Sequence, residues 1–159
     1  MKQISPELIS FLHLQSFVIV TSIDKGGFPH SSCKAIAKID SVGLIYLIDV
    51  YRGLTGENIK RNPLAGISVV DEHKFIGYCF KGKARILPDD NISQEMIKKW
   101  EDNITSRLAK RLLVNLSADK TLRHHPEASL PKPQQLIVFE VEDVVDLAPR
   151  HLKKEVTHG

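Results

Sequence analysis

The sequence predicts a small, mainly β protein: six antiparallel strands closing into a barrel, with accessory helices. Runs rich in β-branched and apolar residues, SFVIVTSI, PHSSCKAIAKID, LIYLIDV, LAGISVV and IGYCFKGKARIL, succeed one another with only short links. Such links leave no room for the long crossovers that parallel strands require. One more run, QLIVFEVEDVVDL, returns near the end after a long helical pattern. Closing these strands on themselves removes the edges that would otherwise pair with other chains.

Each element has a local reason. In SPELISFLH, residues 5–13, a serine is followed by a proline at the first helical position and by a glutamate, which together start a helix. SFVIVTSI, 16–23, is followed by the turn residues DKGG and then by PHSSCKAIAKID, the pattern of a hairpin. SVG turns the chain into LIYLIDV; LAGISVV, 64–70, and IGYCFKGKARIL, 76–87, come later. From Ser93, Met96, Trp100, Ile104, Leu108, Leu112 and Leu116 recur every fourth residue, with Ile97 and Leu113 beside them. That is one helical face, over one long helix or two with a break near Asn103. Lys98, Lys99, Arg107, Lys110 and Arg111 are assigned to its solvated side. Residues 118–133 read as a loop. The last strand spans 135–147 and a short tail spans about 148–159.

The length suits one domain with its own core, here residues 1–159 with a helical insertion at about 93–117. Hydrophobic residues at 42% and charged residues at 26% are the balance of a globular chain, not of a disordered or membrane one. No apolar run approaches the roughly 20 residues that cross a bilayer, and MKQISPELISFLHLQ lacks the pattern of a secretory leader, so a cytoplasmic location is expected. Cys33 and Cys79 form no CxxC pair and are expected as buried thiols. His124-His125 has no third ligand nearby in sequence, so no metal site is expected. Nor is there a G-x-S-x-G, H-E-x-x-H or P-loop motif, and no catalytic residue can be named. The net charge of +3 favours anionic ligands without implying a nucleic-acid protein.

The link RGLTGENIKRNP, residues 52–63, admits two readings. One is a capped turn, with Thr55 as the N-cap, Asn58 three residues on and Asn62-Pro63 ending it. The other is an anion site: the first turn of a helix leaves N–H groups unpaired, Thr55 adds a hydroxyl and Arg52 a charge, and Gly53 and Gly56 allow close approach. KFIGYCF, 74–80, offers alternating aromatics of the kind that stack RNA bases, but that fold needs a helix where DKGG joins two strands directly.

The order of PHSSCKAIAKID, then YLIDVYRGLTGENIKRNPLAGISVV, then FKGKARIL resembles the FMN-binding split-barrel family, which includes pyridoxamine 5′-phosphate oxidases and small FMN-binding proteins. The resemblance covers roughly residues 5–147 and implies a six-stranded split barrel of the FMN-binding type. It also implies a flavoprotein, an oxidoreductase or electron carrier, that works as a homodimer with flavin at the subunit interface. By this resemblance Arg52 and Thr55 meet the flavin phosphate, and Ser32, Cys33, Lys34 and Ala35 line the ribityl chain and ring. Ile48, Asp49, Leu54 and Asn58 complete the surroundings, and Tyr78 or its neighbours reach the flavin of the second copy. The chain departs from the family in two places. Leu54 stands where many members carry a lysine or arginine, leaving the phosphate to Arg52 or Lys34, and CKAIAK replaces the RMVLLK of the oxidases. A true vitamin B6 oxidase is therefore not expected. Rivals are a split barrel for the deazaflavin F420 or for haem, and a cofactor-free nucleic-acid or small-ligand binding module. A further expectation is that the apolar row of the late helix covers a surface in the dimer.

Overall fold

A computed structural model describes residues 1–88, 92–117 and 130–153. Strands β1 (Val18–Ile23), β2 (Pro29–Asp40), β3 (Leu44–Asp49), β4 (Leu64–Asp71), β5 (Ile76–Pro88) and β6 (Gln135–Asp146) form a closed antiparallel barrel in the order β1-β2-β3-β6-β5-β4. Every strand lies within two residues of its sequence expectation. The hairpin turn is built as its residues suggest: Asp24 Oδ1 accepts from the N–H groups of Gly26 and Phe28, and Gly27 takes φ +84°, which favours glycine. Helices α1 (Pro6–His13) and α2 (Leu54–Arg61) belong to the barrel ends, and α3 (Gln94–Ser117) lies outside. Ser5 caps α1 by accepting from the Leu8 N–H at 3.3 Å. A backbone N–H in that first turn, and then the Ser5 hydroxyl, hold the Glu7 carboxyl below its ordinary pKa.

Strand alternation fills the interior with Val18, Val20, Ile45, Leu47, Ile67, Phe80, Ile137, Phe139 and Val141, all buried. At one end α1 inserts Leu12, and Phe11 meets the Tyr78 ring edge-on at 5.3 Å. At the other end α2 contributes Ile59 to the same core. Tyr78 and Phe80 thus turn toward the core, and the aromatic alternation of KFIGYCF is no base-stacking platform. The two thiols behave differently from expectation. Cys33 is exposed and Cys79 half-buried, because both occupy strand positions out of phase with the inward rows.

The helix after β5 is a single element without a break at Asn103. Its residues Met96, Ile97, Trp100, Ile104 and Leu108 pack with Ala35, Ala37, Tyr46, Ile48 and Leu136 on the outside of β2, β3 and β6. As far as Leu108 the barrel itself covers the row expected to wait for a second chain; the side chains of Leu112, Leu113 and Leu116 lie outside the described residues. This packing also explains why Gln135–Phe139 is buried at every position, one face lying inside the barrel and the other under α3. His124 and His125, and the tail beyond Lys153, lie outside the described residues; the described part of the tail makes a 3-10 turn, Arg150–Leu152. No helix among the described residues is long and apolar enough to cross a membrane.

Candidate functional site

The barrel end beneath α2 is polar, and the alternation of β3 explains the central residue. Ile45 and Leu47 point inward, so Asp49 does too, and it ends the row fully buried. Lys34, on the neighbouring β2 and 11% exposed, donates from Nζ to Asp49 Oδ1 at 2.5 Å. Gln135, opening β6, donates from Nε2 to Oδ2 at 2.6 Å. A buried carboxylate keeps its charge at low cost only with such partners. Gly56 belongs to this cluster, since a Cβ there would come 2.7 Å from Gln135 Nε2. Glycine is used here to admit a side chain of the barrel.

The structure corrects the cap assignment in the same helix. Gly53 is the N-cap of α2 and makes no side-chain cap bond, while Thr55 is the second helical residue. Thr55 is buried, and its Oγ1 shares a 2.8 Å hydrogen bond with Ser32 Oγ. Asn58 is buried as well, donating from Nδ2 to Ser22 Oγ at 3.1 Å. Arg61 donates to Asn58 Oδ1 at 3.1 Å and to the Ile23 carbonyl at 2.7 Å. Much of the polarity of RGLTGENIKRNP therefore fastens α2 to the barrel, where an apolar face would otherwise be needed.

On the outer side of β2 and β3, beside α3, lies a cavity of about 400 Å³. It brings together Cys33, Lys34, Ala35 and Ile48 of the expected set. Ser16, Phe17, Val50, Tyr51, Trp100, Arg107 and Leu130 complete its wall. Ser32 and Thr55 stay bonded to each other beneath α2, Asp49 and Asn58 are buried there, and Leu54 is exposed. Arg52 lines a different cleft, of about 650 Å³, with Lys60, Arg85 and Gln135, and one of its N–H groups lies 3.5 Å from the Gln134 carbonyl. Tyr78 sits at the α1 end of the barrel, against Phe11. The expected residues thus divide among several places: within β2, Cys33 and Ala35 face the outer cavity, while the Ser32 and Lys34 side chains turn to Thr55 and Asp49.

Sequence reasoning missed Phe17, Tyr51, Trp100 and Arg107 as lining residues. For Trp100 and Arg107 a signal existed: seven residues apart, they fall on nearly the same side of a helix. The cavity combines aromatic and aliphatic walls with Arg107, a surface suited to a flat organic molecule carrying negative charge. Among the described residues no cluster of three or more His, Cys, Asp or Glu side chains could hold a metal ion.

A family model described as pyridoxamine 5′-phosphate oxidase matches residues 4–147. No curated protein matches the chain. Among solved structures it is similar to HupZ of Group A Streptococcus, at 19% identity over 91% of this chain and 94% of that one, with a TM-score of 0.61. A protein of Clostridium acetobutylicum related to general stress protein 26 of B. subtilis, of the pyridoxinephosphate oxidase family, is 20% identical over 92% and 88% of the two chains, with a TM-score of 0.58. An F420 reductase is 17% identical over 81% and 88%, with a TM-score of 0.50. At such identities the likeness is one of fold.

Proposed function

The chain belongs to the pyridoxamine 5′-phosphate oxidase family, with its split-barrel fold, and from that premise we propose that it binds FMN in the 400 Å³ cavity and serves as an oxidoreductase or electron carrier. The observation that carries this reading is the convergence of Cys33, Lys34, Ala35 and Ile48 on one cavity. Its volume falls in the range of about 300–1,000 Å³ usual for small-molecule sites. Ile48, Val50 and Trp100 supply apolar surface for the ring system, and Phe17 and Tyr51 supply aromatic surface at the rim. Lys34 keeps a fixed position at the wall because Asp49 holds its ammonium and Gln135 holds Asp49. The flavin, when bound, supplies the redox chemistry, which is why no acid-base triad is needed. CKAIAK in place of RMVLLK argues against vitamin B6 oxidation, and cytoplasmic work is part of the proposal.

An absorption spectrum of the purified chain, before and after addition of FMN, tests the cofactor. Retained flavin bands, or saturable binding of added FMN, are expected. A Soret band would make the ligand haem, the deazaflavin spectrum would make it F420, and neither absorbance nor binding would leave a cofactor-free module.

The proposed active unit is a homodimer. Leu14, Phe17, Ile19 and Val70 are exposed around a recess of about 310 Å³ on β1 and β4. Phe17 lines both this recess and the proposed flavin cavity. A second copy seated on this apolar surface would shield the flavin from water. Light scattering at micromolar concentration should return twice the mass of the chain, and a monomer would remove the shared-interface part of the proposal.

A further inference from the structure

We propose that the 650 Å³ cleft beneath α2 is a second binding site, for a small organic acid that carries an O–H or N–H donor at the end away from its carboxylate. The cleft shares no lining residue with the 400 Å³ cavity, so the inference stands apart from the flavin reading.

The cleft exists because α2 is fastened to one side of the barrel end. Among the described residues its side-chain bonds to the barrel run to β1 and β2: Thr55 to Ser32, Asn58 to Ser22, and Arg61 to the Ile23 carbonyl. Toward β5 and β6 the helix leaves an opening, lined by Ile59 and Ala84, both buried, and by the half-buried Ile86. Water gains little from such a surface, whereas the apolar body of a ligand is stabilised by it.

Gln135 supplies a polar anchor at the base. It is 4% exposed, and its amide orientation is fixed, because a carboxylate can only accept: Nε2 must be the atom that meets Asp49 Oδ2 at 2.6 Å. That leaves Oε1, which accepts no hydrogen bond among the described residues. No buried side-chain polar atom lacks a partner, so this oxygen is open to the cleft that Gln135 lines. An acceptor so placed calls for a donor.

The other end is cationic. Lys60 and Arg85, both exposed, line the same cleft, and neither makes an ion pair or a side-chain hydrogen bond among the described residues. No Asp or Glu lines the cleft among the described residues. In the β5–β6 register Gln135 faces Pro88, three residues from Arg85, or about 10 Å along the strand. A molecule with a donor at one end, a ring or short chain in the middle and a carboxylate at the other matches that span. Arg52 also lines the cleft, but its guanidinium has partners within the chain and is not assigned to the ligand. The competing arrangement is a water-filled cleft, with water on Oε1 and both cations solvated.

Calorimetric titration of the whole chain with para-hydroxyphenylpropionate separates the two. Saturable binding is expected. Phenylpropionate, which lacks the donor, should bind about two- to tenfold more weakly, and para-hydroxyphenylpropanol, which lacks the carboxylate, roughly tenfold more weakly. Lys60→Ala/Arg85→Ala should weaken both acids roughly tenfold and leave the alcohol unchanged. Lys81→Ala, a cation of the same strand outside the cleft, should alter none of the three. The ligand series needs no variant, so the test stands even if the double variant folds poorly. An absence of binding, equal binding of acid and alcohol, no loss on removing the hydroxyl, or an unchanged titration in a folded double variant would each overturn the assignment.

Discussion

Asp49→Ala should cost the folded state about 3–5 kcal/mol, measured by denaturant unfolding of the apo chain. The carboxylate is fully buried and carries two bonds, from Lys34 Nζ at 2.5 Å and from Gln135 Nε2 at 2.6 Å. Removing it leaves the Lys34 ammonium, itself 11% exposed, without its counter-charge. An uncompensated charge in such a place costs far more than the pair contributes. Since domains of this kind are stable by about 5–15 kcal/mol, the variant should lie near the edge of folding. Two comparisons isolate the cause. Lys34→Met/Asp49→Leu removes both charges and should recover most of the loss. Lys83→Ala breaks the 3.2 Å pair with Glu142, whose side chains are 57% and 44% exposed, and should cost about 0–1 kcal/mol. A small effect of Asp49→Ala, or a double variant worse than either single one, would contradict the account of the buried pair.

The second large effect is expected at Gly82. The β5–β6 register shifts between Lys81 and Gly82, and a Cβ at Gly82 would collide with the Glu140 carbonyl oxygen and stand 3.2 Å from Glu142 N. Both are backbone atoms, so no side chain can rotate away. Gly82→Ala must push the two strands apart at the bulge, and about 1–3 kcal/mol or more of stability should be lost. Gly66, also in a strand, is the control: a Cβ there meets nothing nearer than the Phe80 carbonyl oxygen at 3.6 Å, an ordinary contact. Gly66→Ala should be neutral or slightly stabilising, since glycine in a strand costs conformational entropy. Equal melting temperatures for the two variants would show that the close approach at Gly82 relaxes freely.

Both effects lie at points where strands far apart in sequence meet, and this separates what was legible from what was not. Strand positions, the α2 turn and the long helix could be read because each is written in neighbouring residues: β-branched runs, DKGG, or an apolar residue every fourth position. The resemblance pointed to residues 32–35 and 48–58, and within that region Thr55 and Asn58 are hydrogen-bonded to Ser32 and Ser22. Nothing local to TGEN says that its threonine meets Ser32 and its asparagine Ser22.

By itself, then, the sequence determined a mainly β chain, its six strands and their antiparallel pairing in a barrel, because hydrophobic period and turn chemistry act over a few residues. Tertiary structure alone decided that Lys34, Asp49 and Gln135 form one cluster, that Cys33 faces out, and that Arg52 and Arg107 line different clefts. It also decided that Met96, Trp100, Ile104 and Leu108 of α3 cover their own barrel. Each of these depends on the register in which β2, β3 and β6 pair on closure and on where α3 lands against them. A shift of one residue in a strand would turn every side chain to the other face.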